Sequence, residues 1–152
     1  MPTDIQTLKS LDLFGELTSE ELNQIAPIIH PVKVSEGELL TQRGEPATAF
    51  YVVLKGNFII SFKDGRAFTL HERGDIIGWS TIVTPFRYTG TAVALTDGET
   101  LTLQGDDFLQ VIQGESSIGD KIINKINPII AERVPYFSRD KAPRELPRAE
   151  AE

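Results

Sequence analysis

Apolar residues near the start of the chain recur every three to four positions, then give way to short runs in which every second residue is apolar. Leu22, Ile25, Ala26 and Ile29 fall on one stripe and predict a short helix that ends before Pro31. Thr18 and Glu21 mark its start. The threonine side chain can accept from the Glu21 amide while the carboxylate reaches back, a capping box. Upstream, Leu8, Leu11, Leu13 and Phe14 predict a further short helical piece packed alongside. From Val32 to Gln104 the pattern becomes β-like, with the runs Phe50–Leu54, Phe58–Phe62, Ala67–Leu70 and Thr89–Leu95 rich in β-branched and aromatic residues. In Glu99–Gln104 the leucines 101 and 103 share one face and the threonines 100 and 102 the other, which reads as a strand with one wet face. Asp64-Gly65 and Asp97-Gly98 each separate two runs, and both read as hairpin turns, because such turns need residues that tolerate positive φ.

Helical spacing returns after Gln104. Asp106 or Asp107 is placed to cap a helix through Gln113, and a second helix follows from Ser116. The second helix sets Ile118, Ile122, Ile126 and Ile130 four apart, with Ile123 and Ile129 widening the stripe. Pro128 lacks an amide and clashes with the preceding turn, which predicts a kink or break near Asn127. The stretch from Arg139, with Pro143 and Pro147 among alternating charges, reads as disordered.

A length of 152 residues encloses one core. The expected organisation is one domain over 1–137, with N-terminal helices over 5–30, a β-roll over 32–104 and C-terminal helices over 106–134, followed by a tail at 138–152. The net charge of −7 argues against a nucleic-acid partner. Four bases and four acids balance within Ser138–Glu152, so the deficit belongs to the rest of the chain. The absence of cysteine excludes disulfides and thiol chemistry and permits a reducing compartment. No signal segment is visible and no apolar run approaches the roughly 18 residues of a membrane span, so a cytoplasmic protein without a membrane partner is expected. His30 and His71 are too few for a metal site with three convergent ligands. Without clustered histidines and carboxylates the chain reads as a binding protein, not an enzyme, with no catalytic residues and no bound cofactor.

The segment from Gly74 to Leu95 carries the candidate chemistry. Gly78 lets the backbone turn sharply, Trp79–Val83 is long enough for one helical turn, and Pro85 ends it. Free amides at such a turn favour an anion, which a neighbouring guanidinium can clamp in bidentate fashion; Arg87 is the nearest candidate.

These segments, taken in order, resemble the cyclic nucleotide-binding domain of catabolite-activator-type regulators, cyclic-nucleotide-dependent kinases and gated channels. Leu13–Thr18 resembles the family's opening and Glu36–Glu45 its paired glycine turns. Phe50–Gly56 matches a strand closing on a glycine, and Gly74–Gly78 the entry to the phosphate-binding cassette. The resemblance implies a mainly β fold with flanking helices, an eight-stranded β-roll or double-stranded jelly roll whose last helix serves as a dimer interface or lid. It also implies a cyclic nucleotide, cyclic AMP or cyclic GMP, as regulatory ligand. The glutamate that accepts from the ribose 2′-hydroxyl in the family is replaced here by Trp79, whose indole only donates. Loss of such a bond costs roughly 1.5–3 kcal/mol. The family's phosphate-binding arginine corresponds either to Arg87 or, counting back from Ala94, to Tyr88. The candidate ligand-binding set is Gly78, Trp79, Ser80, Thr81, Arg87, Tyr88 and Thr89.

The leading expectation is a standalone regulatory domain that binds an anionic small molecule at a divergent cassette and signals through its C-terminal helices to a separate effector protein. The same expectation includes a homodimer formed through Ile118, Ile122, Ile126 and Ile130. The alternative is a pseudo-sensor that kept the roll, lost the nucleotide and acts as a dimerisation or interaction module.

Overall fold

The computed structural model describes residues 3–114 and 117–137. Two short helices open the chain, α1 (Ile5–Lys9) and α2 (Ser19–Ile25), with 3-10 turns at Asp12–Phe14 and Ala26–Ile28. Both interactions of the capping box form at α2, with Thr18 Oγ1 accepting from the Glu21 amide at 3.1 Å and the Thr18 amide donating to Glu21 at 2.9 Å. Eight strands follow: β1 (His30–Val34), β2 (Leu39–Thr41), β3 (Ala49–Lys55), β4 (Phe58–Ser61), β5 (Ala67–Leu70), β6 (Ile76–Ile77), β7 (Thr91–Ala94) and β8 (Gly98–Gln104). They form two antiparallel four-stranded sheets, ordered β1-β8-β3-β6 and β2-β7-β4-β5. Helices α3 (Gly105–Gln113) and α4 (Ser117–Phe137) complete the β-roll with flanking helices.

The two sheets enclose one core, and the outer face of the β1-β8-β3-β6 sheet carries another. Strand alternation sorts neighbouring residues between them. Phe50, Val52, Ile76, Leu101 and Leu103 face the helices, whereas Val53 and Ile77 join Phe58, Ile60 and Phe62 between the sheets. This corrects the expectation of a wet face on β8. Thr100 pairs with Val53 in register and is wholly buried, because β8 lies between β1 and β3 and is covered on both faces. The Thr100 and Thr102 hydroxyls lie 3.0 Å apart and satisfy each other.

Asp64-Gly65 closes the β4–β5 hairpin, with the Phe62 amide donating to the Arg66 carbonyl at 2.9 Å. Asp97-Gly98 does not close a hairpin, since β7 and β8 belong to different sheets and the turn carries the chain from one to the other. Glycine is needed at 98 because a Cβ there would clash with the Lys55 carbonyl oxygen.

Neither Asp106 nor Asp107 caps α3. The Gly105 amide still bonds Thr48 at 2.8 Å, so strand passes directly into helix behind Gln104 and the two aspartates fall in the first turn. There they oppose the positive helix end. Helix α4 is described from Ser117, Ser116 lying outside the described residues, and it runs on through Pro128, so that of the kink or break expected near Asn127 the break does not occur. Packing on both sides of the proline supplies what the missing bond removes: Ile118, Ile122 and Ile126 are buried in the helix-side core, and Tyr136 packs against Phe62 and Phe68. The same burial corrects the homodimer surface, because three of its four isoleucines are covered by the chain's own core and Ile130 is partly buried against it. The expected tail at 138–152 lies outside the described residues.

Candidate ligand site

Strand β6 delivers the chain to Gly78, which sits at φ 90°. A Cβ at this position would lie 2.7 Å from the Ala49 carbonyl oxygen, so both the left-handed turn and the close approach to β3 require glycine. A 3-10 turn follows at Trp79–Ile82, and the amide and hydroxyl of Thr81 each donate to the Gly78 carbonyl at 3.1 Å. Trp79 is 7% exposed and belongs to the helix-side core, with one edge reaching the site. The loop then passes through a cis Thr84–Pro85 peptide and Phe86 at φ 62° before joining β7.

Arg87 and Tyr88 point apart. The Arg87 side chain is exposed, and its Nη1 donates to the Gly44 carbonyl at 2.9 Å. Tyr88 is buried, and its hydroxyl is engaged by the start of β3: it accepts from the amides of Thr48 at 3.2 Å and Ala49 at 2.9 Å and donates to the Ala49 carbonyl at 2.8 Å. Tyr88 thus latches the cassette to the first sheet.

A notch of about 20 Å³ lies behind the cassette, walled by Gly78, Trp79, Ser80, Tyr88 and Thr89 and floored by Ile60, Phe62 and Ile77. That volume holds a single water-sized group. Of the seven candidate residues, five line the notch, whereas Thr81 spends its hydroxyl on the turn and Arg87 faces away.

The remaining wall comes from the far end of the chain. Arg133 of α4 lines the notch and also a groove of about 420 Å³ between α4 and the β5–β6 connection, where Phe68, Leu70, Asp75, Ile129 and Tyr136 face it. Its guanidinium stands 5.4 Å from the Phe68 ring centroid. Burial pushes this guanidinium down to about 10, against the opposing pull of Asp75 and Glu132, and it stays charged at neutral pH. The inward stripe Ile122, Ile126, Ile129 continues at helical spacing onto Arg133. A base on an apolar stripe was the available signal for this residue.

The description "cyclic nucleotide-binding domain" belongs to the family model that matches residues 31–115, from β1 to the end of α3. The chain is a member of the cyclic nucleotide-binding domain family. As such it is a ligand-sensing regulatory domain. A candidate potassium channel protein of Rhodopseudomonas palustris is 30% identical over 124 residues, covering 80% of this chain and 29% of that protein. The chain therefore spans under a third of that relative's length. Among solved structures, a candidate cyclic nucleotide-binding protein of Geobacter metallireducens superposes with a TM-score of 0.78 at 20% identity, over 87% of this chain and 98% of that one. The regulatory subunit of a cAMP-independent protein kinase A of Trypanosoma brucei gives 0.68 at 19% identity, over 86% and 44%. Both superpositions speak to the fold. Among the described residues no helix is long and apolar enough to cross a membrane, and no group of three metal-ligating side chains converges.

Proposed function

We propose that this cyclic nucleotide-binding domain senses a small anionic molecule, a cyclic nucleotide or a related anion, at the cassette, and passes the signal through α4. One observation carries the reading: the notch behind the cassette is closed by a residue of α4, so occupancy of the cassette and the position of the last helix are not independent. Gly78, Ser80 and Thr89 supply the cassette side, with backbone and hydroxyl groups suited to an anion. The groove beside it has the volume of a small-molecule site and an aromatic wall. Calorimetric titration of the protein with cyclic AMP and cyclic GMP tests the reading. Saturable heat with either supports it, and no heat and no thermal shift with both contradicts a nucleotide ligand.

A second reading draws on Trp79. Its ring is packed into the helix-side core at the position where the family resemblance places a ligand-accepting glutamate, and the notch beside it is small. A pseudo-sensor that keeps the fold as an interaction module would look the same in this respect. The two readings part on the titration, since the pseudo-sensor binds neither nucleotide.

A further inference from the structure

Arg133 is 8% exposed. Among the described residues no hydrogen bond or ion pair within 4 Å engages its guanidinium, which faces the Phe68 ring and feels the more distant charges of Asp75 and Glu132. A guanidinium carries five donors, and burying them unmatched is less favourable than burying an apolar side chain of the same volume. Packing alone therefore does not account for arginine here. Among the described residues Arg133 is also the one charged residue lining the notch and the one cation lining the groove, which the carboxylates of Asp75 and Glu132 line as well. The cassette side of the notch contributes hydroxyls and backbone but no charge.

We propose that Arg133 is the anion anchor of the site: it binds the charged group of a ligand whose head lodges at Ser80 and Thr89 and whose flat apolar part lies in the groove against Phe68 and Tyr136. The proposal rests on the sensing reading above and names the residue that confers its preference for an anion. A planar guanidinium suits a phosphate, which it meets with two parallel hydrogen bonds. The notch is smaller than a phosphate, so seating one moves Arg133 and the helix that bears it. Ligand charge thereby becomes what positions the end of α4.

The test is a set of calorimetric titrations of the full chain with cyclic AMP, cyclic GMP, adenosine and guanosine, in the wild type and in Arg133→Gln, Arg133→Lys and Arg87→Ala. The wild type is expected to bind a cyclic nucleotide more tightly than its neutral nucleoside. Arg133→Gln should lower cyclic nucleotide affinity about 10- to 150-fold, to the level of the nucleoside, while leaving nucleoside affinity unchanged. Arg133→Lys should recover part of the preference, and Arg87→Ala should leave it intact. The ligand-free Gln variant should melt at or above the wild type, because an unmatched buried charge has gone. Retention of the preference in Arg133→Gln, or no preference in the wild type, overturns the anchor and leaves the sensing reading standing. A Gln variant that melts well below the wild type marks Arg133 as structural and also overturns it. Failure of the wild type to bind any of the four probes overturns the anchor as stated and, with it, the nucleotide form of the sensing reading.

Discussion

Tyr88 shows how one residue decides the character of the cassette. Its hydroxyl makes three hydrogen bonds to the backbone of Thr48 and Ala49, which fixes the loop against β3 and leaves the phenol no free capacity toward a ligand. Tyr88→Phe should therefore act on stability, not recognition. It leaves the buried ends of two amides and a carbonyl without their partner, at a cost of roughly 1–3 kcal/mol, measurable by denaturant unfolding. Unchanged stability together with lost nucleotide affinity would contradict this role and return Tyr88 to the ligand. The family's arginine position falls on Arg87 by its place after the turn and on Tyr88 by the count back from Ala94, and adjacent residues on extended backbone point to opposite sides. Which one turns inward depends on the bridge between Pro46 and Arg87, a pairing across 41 positions that no local pattern encodes. Arg133 was missed for a related reason: its role arises where α4 crosses the cassette, more than 40 residues away in sequence.

At the scale of elements, α4 divides into two halves held by different chemistry. Its first half is tied to the N-terminal helices by Lys121 on Glu21 at 2.7 Å, by the Ser117 hydroxyl on the same carboxylate, and by Lys125 on Asp12 at 3.1 Å and Glu16 at 3.6 Å. Its second half rests on the β4–β5 hairpin, where Arg66 donates to the Pro135 carbonyl and lies 5.7 Å from the Tyr136 ring. Glu21 thus serves α2 as its capping box and α4 as its anchor. Hydrogen bonds from Lys121, then Ser117 and Thr18, pull its carboxyl down to about 2 from an ordinary 4.5. A carboxyl lowered on folding stabilises the native state above the ordinary value and loses that contribution as pH falls from 4.5 toward about 2. Melting temperatures followed down through that range should fall less steeply in Glu21→Gln than in the wild type. Parallel acid limbs in the two proteins would contradict the assignment. The capping box was legible in the sequence because it is local; the pairing with Lys121 was not, since it spans 100 positions. The isoleucine stripe of α4 was equally legible as a pattern, but a pattern gives the face to be buried and not the surface that buries it.

Across the whole molecule, the β-roll and its helices follow from alternation and spacing in the chain, and the order of its glycine turns marks the cassette. What the chain did not reveal was how its layers meet: that the threonine face of β8 lies between two sheets, that Asp97-Gly98 passes between them, and that the end of α4 returns to close the notch. Each of these is a contact between segments distant in sequence. The resulting molecule has α4 fastened at its start to one end of the fold and resting at its finish on the candidate site, a geometry in which ligand binding can act on the second half alone. The most direct measurement is hydrogen exchange along α4 with and without saturating cyclic AMP or cyclic GMP. The account predicts altered protection over 129–137 with 118–126 unchanged, and unaltered protection throughout α4 at demonstrated saturation would contradict it.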